Sequence, residues 1–146
     1  MKHTTVIDST REEEIIIYAH DRRAEIQAIE AYIDGMNTEL VGYGEGGRIV
    51  PLQPTDIHCF LIDDGKVYAL TDTERLHVRL PLYAIEEKLG QNFVRINQSC
   101  LGNLKKIKRF DTSIGGALMV TFANSHRDYV SRRQLKIVKE RMHIKP

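Results

Sequence analysis

The chain has 146 residues, 42% of them hydrophobic and 28% charged, with a formal net charge of +1, which fits one globular core or a core with a short extension. No apolar run approaches the roughly 18–20 residues of a membrane span, and Met1-Lys2-His3-Thr4 leads into no apolar segment or cleavage site of a secretory signal. Cys59 and Cys100 form no CxxC pair and the six histidines show no ligand spacing, so neither a disulfide scaffold nor a structural zinc site is expected; the expectation is a cytoplasmic, cofactor-free protein.

Residues 12–20 place Ile15-Ile16-Ile17-Tyr18 behind the cluster Glu12-Glu13-Glu14 and read as a short β-rich run. Asp21 is the expected N-cap of a helix over 22–36, on which Ile26, Ile29, Ile33 and Met36 share one face; Gly35 and Asn37 are the expected stop. From Leu40 the texture changes to short strands, expected at 48–52, 57–62, 66–71 and 75–79, with Asp63-Asp64-Gly65 as a hairpin turn. Pro81 precedes a short helix over 82–89 with Leu82, Ile85 and Leu89 on one side. Strands follow at 93–96, 107–110 and 118–122, the last two joined through Gly115-Gly116, and a final helix covers 132–143. Many short strands and few helices predict a mostly β domain over 41–146, α+β overall, preceded by a βα extension over 1–40.

Four patterns suggest chemistry that their surroundings do not support. Gly42, Gly44 and Gly47 satisfy the dinucleotide fingerprint G-x-G-x-x-G, but Arg48-Ile49-Val50-Pro51 follows where a helix must begin, so a flexible loop before a strand is the better reading. His58 and Cys59 are neighbours on a strand and point to opposite faces, which makes Cys59 a small core residue and His58 an ordinary surface or edge residue. Cys100 with His126 has no support in the sequence, and Glu12-Glu13-Glu14 reads as a solvated cluster rather than a metal site. No convincing catalytic set is present, and an enzyme is not expected.

The small net charge hides an asymmetry. Residues 1–90 carry 9 Lys+Arg and 17 Asp+Glu, a net of −8, whereas residues 91–146 carry 12 Lys+Arg and 3 Asp+Glu, a net of +9. A one-sided positive field attracts polyanions, and the basic residues span several predicted elements rather than one solvated helix face.

Two clusters stand out within the basic half. At Tyr129-Val130-Ser131-Arg132-Arg133-Gln134, Ser131 and Gln134 have the spacing of a capping box, yet Arg132 and Arg133 fill a first turn where the helix dipole disfavours positive charge. Backbone N–H groups with two guanidinium forks suit phosphate binding, and one arginine suits bidentate recognition of guanine; the bland alternative pairs both with Asp128 or the N-terminal glutamates. Leu135, Val138 and Met142 should face the core, while Arg132, Lys136 and Lys139 line another face; Lys139, Arg141 and Lys145 also suit the dipole. The second cluster is Arg95-Ile96-Asn97-Gln98-Ser99, followed by Asn103-Leu104-Lys105-Lys106-Ile107-Lys108-Arg109. Asn97, Gln98 and Ser99 interrupt a strand pattern as an exposed loop or bulge, and amides offer the donor–acceptor pair that adenine recognition needs. An ordinary polar turn, with Asn103 bonding its own backbone, is the bland alternative.

Taken in order, Phe93-Val94-Arg95-Ile96-Asn97-Gln98-Ser99-Cys100-Leu101-Gly102-Asn103-Leu104-Lys105-Lys106-Ile107 and then Val130-Ser131-Arg132-Arg133 resemble the LytTR DNA-binding domain of bacterial transcriptional regulators. The Asp56-Ile57 strand opening and the helix at 82–89 fit as well, so the resemblance covers about residues 41–146. It implies about ten short strands in small packed sheets, with loops that enter successive major grooves of duplex DNA. It also implies contacts from Asn97, Gln98 and Ser99, from Arg133, and from the Asp64–Lys66 hairpin through Lys66. Around these, Arg95, Asn103, Lys105, Lys106, Ser131, Arg132 and Lys136 complete the candidate DNA-binding set. Two positions depart from the family pattern: Asn97 stands where a histidine is common, and Gly102 where valine is usual. About 40 residues precede the domain, too few for a receiver, so the resemblance is to the stand-alone type, acting as a homodimer at least on DNA. Some stand-alone members pair with an inhibitory membrane protein. The helix stripe of the extension is then a dimerisation or docking element, or else packs on its own β domain. An RNA-binding domain lacks support because Phe93, Phe110, Phe122 and Tyr129 are not interleaved with charge as a stacking platform; a module for acidic proteins is the remaining alternative.

Overall fold

The computed structural model describes residues 1–37, 40–112 and 115–143. Helix α1 (Ala24–Asn37) is followed by strands β1 (Val41–Tyr43), β2 (Ile49–Pro51), β3 (Cys59–Asp63), β4 (Lys66–Leu70) and β5 (Arg75–Val78). Then come α2 (Leu82–Lys88), β6 (Phe93–Asn97), β7 (Cys100–Asn103), β8 (Ile107–Thr112), β9 (Leu118–Phe122), β10 (Arg127–Val130) and α3 (Arg132–Arg141). Seven strands form one antiparallel sheet in the order β2-β1-β5-β4-β3-β7-β6, and β10-β9-β8 form a second. The mostly β architecture expected from the sequence is therefore present, with its strands gathered into one large sheet and one small one.

Strand alternation divides the interior in two, because successive side chains point to opposite faces. On β3, Phe60 joins Leu76, Leu101, Phe93 and the α2 residues Leu82 and Ile85 in one core. Its neighbours Cys59 and Leu61 turn the other way, into a second core with Ile96, Cys100, Val120, Phe122 and Val138 of α3. The large sheet is thus apolar on both faces, covered by α2 on one side and by the small sheet with α3 on the other. Fully burying a side chain the size of Phe60 or Phe122 contributes about 1.5–3 kcal/mol. Leu135 and Met142 pack against the second core beside Val138, as their spacing predicted.

The β3–β4 hairpin closes as expected: Asp64 (φ 51°) and Gly65 (φ 74°) both adopt the left-handed conformation of a two-residue hairpin turn. Gly115 and Gly116, also at positive φ, lie in the β8–β9 connection.

Several expectations are corrected. Residues 12–20 form no strand and are exposed throughout. The first helix begins at Ala24, with the Arg23 carbonyl accepting from Ile26 and Gln27, so Asp21 lies short of the cap; the helix runs through Gly35 to Asn37. The final helix ends at Arg141 rather than 143, and Lys145 falls outside the described residues. Strands β1, β7 and β10 were not anticipated, because Val41-Gly42-Tyr43, Cys100-Leu101-Gly102-Asn103 and Arg127-Asp128-Tyr129-Val130 contain glycine or charge where a strand pattern wants apolar alternation. Gly42 lies inside β1 rather than in a loop, where a Cβ would come within 2.7 Å of the Leu76 Cβ. It is a close-packing glycine, and only a single 3-10 turn (Glu45–Gly47), not an α-helix, lies between it and β2. Among the described residues no helix is long and apolar enough to cross a membrane.

Candidate nucleic-acid interface

Antiparallel register brings three separate stretches to one end of the large sheet. In β7, Cys100 pairs with Leu61 of β3, so the β6–β7 turn at Gln98-Ser99 lies beside the end of β3, where Ile62 donates to the Ser99 carbonyl at 2.9 Å. In the next pairing Asp63 faces Lys66, which places the exposed Lys66 at this same end. The third stretch is the β10–α3 junction, tied in by Ser131 N–H donating to the Ile96 carbonyl at 2.8 Å. Lys66, Gln98-Ser99 and Ser131-Arg132-Arg133 therefore share one rim, although more than 30 residues separate each from the next.

Within that rim the side chains divide into those that present and those that hold. Gln98, Ser99, Arg132 and Arg133 are exposed. Asn97, expected in the exposed loop, is instead 1% exposed. Its Nδ2 donates to Asp128 Oδ1 (2.8 Å) and to the Tyr129 carbonyl (2.9 Å), and its Oδ1 accepts from Ser99 N–H (2.8 Å). Both Nδ2 protons join the β6–β7 turn to β10, immediately before α3, while Oδ1 ties the turn itself. A register shift between Arg95 and Asn97 turns the side chain inward. Arg95 also holds the turn: its Nη1 donates to the Gln98 carbonyl at 3.1 Å, and its Nη2 lies 3.6 Å from Glu86 of α2.

The start of α3 differs from the expected capping box. Ser131 occupies the cap position but its side chain makes no capping hydrogen bond; the Gln134 N–H donates to the Ser131 carbonyl instead. The Arg132 and Arg133 N–H groups and the Ser131 hydroxyl are thus available to an outside acceptor. Among the described residues Arg132 and Arg133 have no carboxylate partner: Asp128 is already engaged by Asn97, Tyr129 N–H and His126, and the N-terminal glutamates are not in contact with them. Beside this turn, an open cleft of about 420 Å³ is lined by Gln98, Arg133, Ser131, Arg95, Glu86 and Arg141, among others. Lys136 is exposed one turn further along α3.

The remaining candidates lie elsewhere. Asn103 ends β7, so it and the following Lys105 and Lys106 sit at the opposite end of that strand from Ser99. Asn103 is buried; its Nδ2 donates to the Ile57 carbonyl at 2.8 Å and its Oδ1 accepts from Lys105 N–H at 3.0 Å. His58 is also at that end, fully buried rather than at a surface or edge, with Nε2 2.6 Å from Asp72 Oδ1. The strand carries it inward because its N–H and carbonyl pair with Leu70 and Asn103 on both sides.

Electrostatics reinforce the clamp around Asp128. Burial pushes its carboxyl up, but hydrogen bonds from His126, Tyr129 N–H, Asn97 and Cys100 outweigh burial and hold it below the ordinary 3.8. The Cys100 thiol, hydrogen-bonded to Cys59, buried, and facing Asp128, is pushed well above its ordinary value. It is a protonated donor rather than a nucleophile. Cys100 and His126 thus meet through Asp128. Glu86 was not singled out from the sequence, and Asp128 was weighed only as a partner for the arginines; β10 carried no strand signal that would have placed it against Asn97. Gly102 has a packing reason: a Cβ there would lie 3.0 Å from the Phe122 ring.

A β domain that gathers guanidinium, amide and hydroxyl groups at one sheet end, and uses its only buried thiols as packing, defines a nucleic-acid-binding module among the described residues. The chain belongs to the LytTr DNA-binding domain family, whose model matches residues 47–143. It is 29% identical over 147 residues, covering 99% of both chains, to HTH-type transcriptional regulators of Staphylococcus aureus strains NCTC 8325 and MRSA252. Its fold is similar to the LytTr DNA-binding domain of a methyl-accepting/DNA response regulator from Bacillus cereus, with a TM-score of 0.65, 17% identity, and coverage of 72% of this chain and 97% of that one. In the described residues strands separate every helix from the next, so the relatives' helix-turn-helix designation has no counterpart here.

Proposed function

We propose that this protein is a cytoplasmic transcriptional regulator that binds duplex DNA sequence-specifically as a homodimer, without chemistry of its own. The observation that carries this reading is the pair of exposed arginines, Arg132 and Arg133, without a carboxylate partner among the described residues, at a helix start whose Ser131 side chain makes no cap, beside the exposed Gln98-Ser99 turn. Arg133 and Gln98 have the donor and acceptor sets that read guanine and adenine edges in a major groove. Ser99, Ser131, Arg132, Lys136 and Lys66 serve phosphates and fix the register. Asn97, Asn103 and Arg95 act behind them, because the amides of the first two and the Nη1 of Arg95 bond within the fold. Residues 41–146 are the DNA-binding unit, and residues 1–40, which hold helix α1 and an irregular run, are the place for assembly or control.

Duplex binding as a function of salt tests this. Specific affinity should fall linearly on a log–log plot with a slope near −0.9 per phosphate contact, and a scrambled duplex should bind more weakly at every salt concentration. Affinity that does not respond to salt, or an RNA that competes better than the duplex, removes the reading. Binding of an acidic protein in place of either would support the interaction-module alternative.

A further inference from the structure

The extension carries an unfinished piece of β structure. Ile15, Ile17 and Ala19 line a shallow cleft with Ile26 and Ile33 of α1, and their i, i+2, i+4 spacing is that of a strand laid on a helix. Ile26 is 5% exposed, yet it belongs to neither core of the β domain. Tyr18 faces outward at 92% exposed, and Ile15 and Ile16, 65% and 61% exposed, leave apolar surface open on both sides of the run. No backbone hydrogen bond joins residues 12–21 to any other described residue, so both edges of a β-branched run stand open. A single unpaired strand backed by one helix is not a stable unit in water. An open apolar edge of this kind is a template for pairing with another strand.

The charges flanking the run identify its partner. Glu12, Glu13 and Glu14 precede it, while Arg22 and Arg23 follow it, and their contacts to Glu30, Asp21 and Glu25 are exposed ones at 3.2–3.8 Å. A segment acidic at one end and basic at the other complements a copy of itself laid antiparallel. Opposite charges facing across an antiparallel pair are stabilising and like charges are not. We propose that residues 12–23 are a homodimer interface, in which this run pairs antiparallel with the same run of a second copy. A two-fold axis then makes a two-stranded ribbon backed by two α1 helices, an isologous contact that closes on itself. This deepens the homodimeric reading above and rests on it.

Charge reversal of the full-length chain tests the pairing by its self-complementarity. The wild-type chain should sediment as a dimer at high micromolar concentration. Glu12→Lys/Glu13→Lys sets positive against positive at both ends, and Arg22→Glu/Arg23→Glu sets negative against negative; each variant alone should run as a monomer. An equimolar mixture of the two restores opposite charge at both ends and should run as a dimer, which mere unfolding of either variant does not produce. A wild-type chain that is monomeric alone, leaving the run to a different partner such as a membrane protein, overturns the proposal. So does a variant that stays dimeric alone, or a mixture that stays monomeric. Salt-dependent duplex binding measured on the same samples separates the two readings: a dimer untouched by charge reversal sinks this interface only, whereas loss of duplex binding by the wild type sinks the DNA reading.

Discussion

The two ends of strand β7 have similar composition and opposite fates. One end bears Asn97-Gln98-Ser99 and the other Asn103 with Lys105 and Lys106, and in the sequence both read as polar turns rich in DNA-compatible groups. At the first end the turn is held from behind by Asn97 and Arg95, leaving Gln98 and Ser99 free beside Arg133. At the second end Asn103 and His58 are stitched into the interior, and the Ser131-Arg132-Arg133 helix start lies at the other end of the strand. On the proposed reading, a polar turn serves recognition when its buried neighbours absorb the structural work and a second element brings in complementary charge.

The largest effect that sharpens this contrast comes from the clamp. Asn97→Ala removes three hydrogen bonds and leaves Asp128 and the Tyr129 carbonyl short of a donor, so urea unfolding should report a loss of about 3 kcal/mol. Specific duplex binding should fall with it, and full retention of both would break the view of Asn97 as a buried positioning residue.

Arg133→Ala comes next. It should cost about 1–3 kcal/mol of specific duplex affinity and relax preference at one base position, while the unfolding midpoint stays in place because the side chain is exposed and unpaired. A uniform weakening on all sequences would instead move Arg133 to the phosphates.

Acid should act on the first end through Asp128. Its folded carboxyl lies below the ordinary 3.8, so its ionised form stabilises the fold above that value, and the contribution is lost as pH falls through the lowered folded value. Stability measured from neutral pH to below 3.8 should therefore drop by an increment that Asp128→Asn lacks; identical profiles for the two would remove Asp128 from the clamp. The smallest effect belongs to the far end. Lys105→Ala should change duplex affinity less than about two-fold at physiological salt, since a distant surface charge is largely screened. A loss as large as that from Arg133→Ala would erase the distinction between the two ends.

Much of this organisation was legible in the residues. The Asp64-Gly65 hairpin, the α2 stripe, the inward face of α3 and the resemblance carried by Arg95–Ser99 and Ser131–Arg133 all depend on local spacing, and the structure retains them. What escaped was non-local. Strand β10 is Arg127-Asp128-Tyr129-Val130, half polar because Asp128 is a partner for Asn97 rather than a surface charge, and no local pattern announces such a residue. Ser131 and Gln134 had capping-box spacing without the capping bond, and residues 12–20 had strand composition without a strand to pair with.

By itself, the sequence determined that the chain would be mostly β, that its positive charge would sit in the last third, and that a serine and two arginines would open the final helix. Those properties follow from periodicity, composition and the short-range rules of helix starts. Only the tertiary structure decided which polar residues face outward. Asn97 and Gln98 are adjacent amides with comparable chemistry, and a register shift in β6 buries the first against Asp128 while leaving the second at the rim beside Arg133. The choice between them rests on hydrogen bonds to residues 31 and 32 positions away, and those partners exist only once the two sheets have packed.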